Sequence, residues 1–256
     1  MKALVTAGGT HEYIDSVRSI INHSTGRLGS IIADLFRQNG ADVTYVCGEQ
    51  AVLPSAPGIR VTKIKNTRRL LETLEQLLAG HKFDCVVHSM AVSDFTPHTG
   101  LTLEDIIDNI ASAVGGHDYS GDELKDIIRA AVLESGKPLG DSKKISSKTE
   151  DMMLWLKQTP KIIRRFRKLQ PGTVLVGFKL LSGAAEAELL RAAELLRAKN
   201  SCDYVLANDL RDISGDSHKA MLIDGHNKIV GRAETKQEIA QIIYRAVSEK
   251  ICSAAR

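Results

Sequence analysis

Small residues, one amide and a few bases stand where an anion could be gripped. Gly8, Gly9 and Thr10 follow the first apolar run, and a polar stretch from His11 to His23 then carries Glu12, Asp15, Arg18 and Asn22 to Ser24-Thr25-Gly26-Arg27-Leu28-Gly29. Backbone N–H groups left open by small residues at a helix start, with the positive end of the helix dipole behind them, make a phosphate or carboxylate site. The same letters have a plainer reading, in which Gly8 and Gly9 turn the chain and Ser24 caps the helix. Arg18 and Asn22 tilt the balance toward ligand binding. A 13-residue connection exceeds the ~2 to 6 residues usual between strand and helix, and long ordered connections are disproportionately functional.

Further along, the run CVVHS at 85 to 89 delivers Ala91, Ser93 and Asp94 to a strand end; VGF at 176 to 178 delivers Phe178 and Lys179, and YVLAN at 204 to 208 delivers Asn208 and Asp209. Each has a structural alternative: Asp94 can cap a turn, the lysines Lys143, Lys144 and Lys148 can form a solvated face, and Lys199 can complement a helix C-terminus. Placed beside strand ends, the same lysines would hold a triphosphate. Other chemistries lack their spacing. A dinucleotide fingerprint needs G-x-G-x-x-G directly after the strand, and only Gly26-x-x-Gly29 occurs, far downstream. No H-E-x-x-H or nucleophile elbow is present, and His23 and His88 read as neutral hydrogen-bonding residues. Cys47, Cys85, Cys202 and Cys252 show no C-x-x-C pairing and read as reduced thiols. The set points to anion handling rather than covalent catalysis.

The elements that must position these residues follow from periodicity. Short runs rich in Val, Ile and Ala (3 to 7, 42 to 47, 59 to 64, 85 to 89, 173 to 178, 204 to 208) read as strands buried on both faces. Amphipathic stretches at 29 to 40, 67 to 80 and 184 to 200 alternate with them, which predicts an α/β fold with a mainly parallel sheet covered on both sides, within one domain spanning 1 to 256. In such sheets ligands gather at the carboxyl ends of the strands. Residues 98 to 143 break the rhythm with two helical stretches between glycines, a helical excursion from the sheet; 219 to 231 reads as a β-hairpin around Asp224 to Asn227, followed by a closing helix.

A formal net charge of +3 is too small for a nucleic-acid surface and suits small anions gathered in a cleft. No signal-like segment opens the sequence and no window approaches the ~18 apolar residues of a membrane helix, so a cytoplasmic protein without a membrane partner is expected.

The string VTAGGTHEYIDSVRSIINHSTGRLG at 5 to 29 resembles the opening signature of phosphopantothenoylcysteine synthetases. AVSDFTP at 91 to 97, KKISSK at 143 to 148 with MLWLKQTPKII at 153 to 163, VGFKLL at 176 to 181 and KNSCDYVLAND at 199 to 209 resemble the family's later motifs in order. The resemblance implies a three-layer αβα Rossmann-like core, a homodimer, and a stand-alone ligase joining the carboxylate of 4'-phosphopantothenate to the amine of L-cysteine. CTP or ATP is the implied co-substrate, with Mg2+ arriving on the triphosphate. Carried over by motif, Asn22 binds the carboxylate and the acyl-nucleotide, and Lys144 faces the triphosphate. Gly8, Gly9, Thr10, Arg18, Ser24, Thr25 and Gly26 line the substrate cleft, and Ala91, Asp94, Lys148, Phe178, Lys179 and Lys199 lie on the nucleotide side. The family's lysine motif, K-x-K-K, is broken here as Lys144-Ile145-Ser146-Ser147-Lys148, and the metal ligands are not defined by it. Two other readings accompany this one: a dinucleotide-dependent oxidoreductase, and a non-catalytic binding protein of the same fold.

Overall fold

The computed structural model describes residues 1–116, 118–134, 136–139 and 151–254. β1 (Lys2–Ala7), β2 (His11–Tyr13) and β3 (Ser19–Ile21) lead into α1 (Arg27–Gln38), β4 (Asp42–Gly48), β5 (Arg60–Ile64), α2 (Thr67–Gly80) and β6 (Cys85–His88). β7 (Phe95–Leu101), α3 (Leu103–Val114), α4 (Gly121–Glu134), β8 (Lys137–Pro138) and β9 (Met153–Gln158) follow. Then come α5 (Ile162–Leu169), β10 (Val174–Leu181), α6 (Glu186–Asn200), β11 (Tyr204–Ser214), β12 (Ser217–Ile223), β13 (Ile229–Thr235) and α7 (Lys236–Ala254). The chain divides into two compact units, one of Met1–Thr10, Asn22–Val92 and Lys161–Arg256, the other of His11–Ile21 and Ser93–Pro160.

The first unit is built on an eight-stranded sheet in the order β13-β12-β11-β10-β6-β1-β4-β5. β1 pairs in parallel with β4 and β6, and β10 with β6 and β11, while β12 and β13 run antiparallel as the expected hairpin. The central strands are apolar on both faces because both faces are covered. Val5, Val87 and Val176 pack with Ile32 and Phe36 of α1 and Ile239 and Ile243 of α7. Leu4, Val86 and Leu175 pack with Leu70 and Leu74 of α2, Phe166 of α5 and Leu189 of α6. Each such side chain contributes roughly 1.5–3 kcal/mol of burial free energy, so the layers of helix, sheet and helix are the natural outcome of the pattern. α1 ends at Asn39, and Gly40 takes a φ of 82° as the chain turns into β4. α2 begins on Asn66, whose side chain accepts a 2.9 Å hydrogen bond from the Arg69 N–H.

The second unit holds what the sequence reading treats as a helical excursion, and more. α3 and α4 occupy the expected places, α3 opening with a capping box in which Thr102 Oγ1 accepts from Asp105 N–H at 3.0 Å and the Asp105 carboxylate accepts from Thr102 N–H at 3.1 Å. Alongside them lies a three-stranded antiparallel sheet in the order β8-β7-β9, which periodicity does not announce. The stretch read as a long strand-to-helix loop is the β2–β3 hairpin of this same unit. Among the described residues no helix is long and apolar enough to cross a membrane.

Candidate functional site

The carboxyl end of β1 gathers the first group of expected residues. Beyond Ala7 the chain continues beside β6: Ala91 N–H donates to the Gly8 carbonyl at 2.8 Å, and Thr10 N–H donates to the Ala91 carbonyl at 3.2 Å. Thr10 is fully buried and its hydroxyl accepts a 3.3 Å hydrogen bond from Thr67 at the start of α2. Asn22 closes over this turn, its Nδ2 donating to the Val92 carbonyl at 3.2 Å. Its own carbonyl oxygen presses on Gly9, where a Cβ would come within 2.5 Å of it. Gly8, Gly9, Thr10, Asn22 and Ala91 are thus one packed cluster at a strand end.

α1 begins beside that cluster. Its N-cap is Gly26, at a φ of 74°, with no side chain of its own to cap the helix, while Thr25 Oγ1 accepts from the Arg27 N–H at 3.4 Å. Ser24 therefore does not play the capping part that the plainer sequence reading gives it. Leu28 and Gly29 present backbone N–H groups at an uncapped helix start, the arrangement that receives an anion. Arg27, at the first helical position, is held by Asp216 from the β11–β12 turn at 2.9 Å.

A cleft of about 330 Å³ opens at this edge of the sheet. One wall is polar and small, formed by Ser24, Thr25, Gly26, Gly29, Ser89 and Ala91; the other is largely apolar, with Phe178 and Leu180 of β10 and Leu210 and Ile213 of β11. His23, Arg27, Asn208, His218 and Lys236 are among the other lining residues. Lys236 is only 7% exposed. Its ammonium donates to the carbonyls of Gly215 and Ser217, and burial lowers its pKa from the ordinary lysine value, with Arg27 acting in the same direction. Burial also holds the His218 imidazole down at about 4, as it does His88, whose Nδ1 is paired with Thr6 Oγ1 at 2.7 Å. Both rings are neutral near pH 7, as the sequence reading expects of His88.

The remaining expected residues lie elsewhere. Lys179 sits between Phe178 and Leu180, and the two-residue period of a strand turns it to the opposite sheet face. Lys199 lies in the last turn of α6, which runs back against the strands, so it stands by the amino end of β11 at the other edge of the sheet. There it complements the helix dipole. Arg18 and Asp94 belong to the second unit. In the β2–β3 turn, Arg18 donates to the buried Asp15 carboxylate through Nε at 3.0 Å and a terminal nitrogen at 2.6 Å. The Asp94 carbonyl accepts from Thr159 N–H at 2.9 Å. Lys144 and Lys148 lie outside the described residues. Among the described residues no group of three or more His, Cys, Asp or Glu side chains is placed to hold a metal ion.

Sequence reasoning did not single out His218 or Lys236. A lysine in the first turn of a helix, against the dipole, was the available signal for Lys236. For His218 it was an imidazole on the strand face otherwise occupied by Ala220 and Leu222.

A mostly parallel sheet with helices on both faces and a cleft at the carboxyl edge of its parallel strands defines an α/β protein of the class whose ligands gather at that edge. The chain belongs to the DNA/pantothenate metabolism flavoprotein C-terminal domain family, whose model matches residues 1–102 and 122–251. It is similar to the coenzyme A biosynthesis bifunctional protein CoaBC of Thermococcus kodakarensis, with 31% identity over 250 residues, 98% of this chain and 51% of the relative. The chain spans about half the length of that bifunctional relative. Among solved structures, the DNA/pantothenate metabolism flavoprotein from Streptococcus pneumoniae matches with 35% identity and a TM-score of 0.78, covering 98% of this chain and 99% of that one. The Cab2 mutant H337A in complex with phosphopantothenate-cysteine shares the fold, with a TM-score of 0.64 at 16% identity, covering 100% of this chain and 89% of that one.

Proposed function

We propose that the chain is a phosphopantothenate–cysteine ligase of coenzyme A biosynthesis. The observation that carries this reading is the convergence of the signature residues: Gly8, Gly9, Thr10, Asn22 and Ala91 form one cluster beside the uncapped start of α1, at a cleft whose other wall is apolar. A phosphate finds backbone N–H groups on one side, and a nucleoside finds Phe178 and Leu180 on the other. Family membership and the names of the relatives support the same assignment.

The chemistry follows from the weakness of a carboxylate as an electrophile. In this reading an oxygen of the phosphopantothenate carboxylate attacks the α-phosphorus of CTP or ATP, the bond to the bridging oxygen breaks, and pyrophosphate leaves with its electron pair. The cysteine amine then attacks the acyl carbon of the resulting acyl-nucleotide, loses a proton, and expels the nucleoside monophosphate. Like unit charges ~4 Å apart repel by roughly 4 kcal/mol at an effective dielectric of ~20, so the first step requires donors that offset the approach of carboxylate to polyphosphate. Asn22 suits the carboxylate, since its amide both donates and accepts. Lys144 and Lys148 are proposed for the triphosphate, Lys144 at the reacting phosphorus.

Magnesium enters as the counter-ion of the triphosphate. Among the described residues the carboxylates do not form a cluster that fits a protein-held ion. A homodimer is proposed through the second unit, because Phe95, Met153, Trp155 and Leu156 stand 38–53% exposed on β7 and β9, and β9 is an edge strand of its sheet.

The test is product accounting. Purified protein should release pyrophosphate only when phosphopantothenate and nucleotide are both present, and should form the amide once cysteine is added. Pyrophosphate release without phosphopantothenate, or a redox change with NAD(P)H in its place, would remove this reading.

A further inference from the structure

His218 is 6% exposed, and neither of its ring nitrogens has a hydrogen-bond partner. Buried polar groups in folded proteins are almost always paired, and a neutral imidazole has one donor and one acceptor to satisfy. His88 shows the ordinary solution, buried to the same degree but bonded to Thr6. His218 differs in position: it lines the cleft together with the start of α1, on the same sheet face as Phe178 and Leu180. A half-turn about Cβ–Cγ exchanges carbon for nitrogen around the ring, so the unpaired nitrogens can be presented to a ligand by ring rotation alone.

We propose that His218 is a specificity-determining residue of the cleft, pairing in its neutral form with an uncharged polar edge of a nucleoside, a sugar hydroxyl or a ring nitrogen or carbonyl. The inference rests on the reading of the cleft as a nucleotide site and adds to it which part of the nucleotide this residue reads. Three observations separate a nucleoside contact from a phosphate contact. The neighbours of His218 in the cleft include Ile213, Leu210, Phe178 and Leu180, which suit a ring system. Lys236, a cation beside it, opposes a second positive charge on the imidazole and is itself engaged by the carbonyls of Gly215 and Ser217. The α1 start with Arg27 already offers what a phosphate needs at the same cleft.

Calorimetry with CTP, ATP and inorganic tripolyphosphate tests this on the full chain and on the His218→Leu and His218→Asn variants. Removing a donor and acceptor that serve only the ligand should weaken the preferred nucleoside triphosphate about tenfold or more in His218→Leu. Tripolyphosphate affinity should stay within about twofold, and the thermal midpoint should not fall, because no internal hydrogen bond is lost. His218→Asn, which keeps a donor and an acceptor, should retain more nucleotide affinity than His218→Leu. Unchanged nucleotide affinity in His218→Leu would overturn the proposal, and so would an equal loss for tripolyphosphate. If the unsubstituted protein binds no nucleoside triphosphate at all, the reading of the cleft falls and this inference falls with it, an outcome distinct from wild-type binding that ignores His218.

Discussion

Gly29→Ala tests whether the position of the α1 start governs function. A Cβ at residue 29 would lie 2.4 Å from the Ala7 Cβ and 2.8 Å from Ser89 Oγ, where ordinary contact begins at 3.4 Å. The helix start must therefore retreat from β1 and β6 by about the 1.0 Å that separates 2.4 from 3.4, or the core must absorb the overlap. Overpacking of this kind typically costs ~1–3 kcal/mol, and alanine recovers up to ~1 kcal/mol of helix propensity over glycine. The net is a loss of about 0–3 kcal/mol, which for a chain of this size lowers Tm by about 12 °C at most, at ~2–4 °C per kcal/mol. Function should suffer more, since ~1 Å of misplacement at a reacting centre can cost ~10²-fold. Scanning fluorimetry and steady-state kinetics on Gly29→Ala should show a near-native fold with kcat/KM for nucleotide reduced by ~10². Gly80→Ala is the control, because a Cβ there meets nothing within 4 Å. Wild-type kcat/KM in Gly29→Ala would refute the idea that this helix start holds the reacting group.

Asn22→Asp keeps size but adds like charge beside the carboxylate, and amide formation should drop by ~10² or more with circular dichroism unchanged; near wild-type turnover would move the role elsewhere. Lys144→Ala should lose kcat by ~10² under saturating nucleotide, whereas Lys148→Ala should recover most of its rate as nucleotide is raised, and the reverse pattern would exchange their roles. Stability should fall as pH drops below ~6.5, because the unfolded chain protonates His88 and His218 there while burial keeps both neutral in the fold down to about 4. Each contributes a slope of ~1.4 kcal/mol per pH unit, or about 2 kcal/mol lost by pH 5. Denaturant unfolding at pH 7.5 and 5.0 checks this, and equal stabilities would contradict it.

The six apolar runs between 3 and 208 lie within a residue or two of the observed starts of β1, β4, β5, β6, β10 and β11, and three amphipathic stretches coincide with α1, α2 and α6. The inner strands were legible because helices cover both of their faces, and the helices because one apolar stripe meets the sheet, so their letters carry the burial directly. The second unit was not. β9 exposes Met153, Trp155 and Leu156 and shows no alternation against a core, β7 contains Pro97 and Gly100, and the strands of the β2–β3 hairpin are three residues each. At the site, the small-residue segments could be read because backbone geometry dictates their composition. Lys179 and Lys199 could not be placed from sequence order alone, since one residue of strand period and the direction of one helix decide which face and which edge they occupy. His218 stands at the start of antiparallel β12, paired with Ile213 near the carboxyl end of β11, and Lys236 at the start of α7, so a rule that scans only the residues following each parallel strand passes over both.

The central claim is activation of a carboxylate by attack at the α-phosphorus, and isotope transfer tests it most directly. Phosphopantothenate carrying ¹⁸O in its carboxylate is incubated with nucleotide, cysteine and the protein, and the products are weighed by mass spectrometry. Attack at the α-phosphorus puts one ¹⁸O in the released nucleoside monophosphate and none in pyrophosphate. Label in inorganic phosphate together with a nucleoside diphosphate would mean attack at the γ-phosphorus, and amide formation with no label in any phosphate would contradict acyl-nucleotide chemistry altogether.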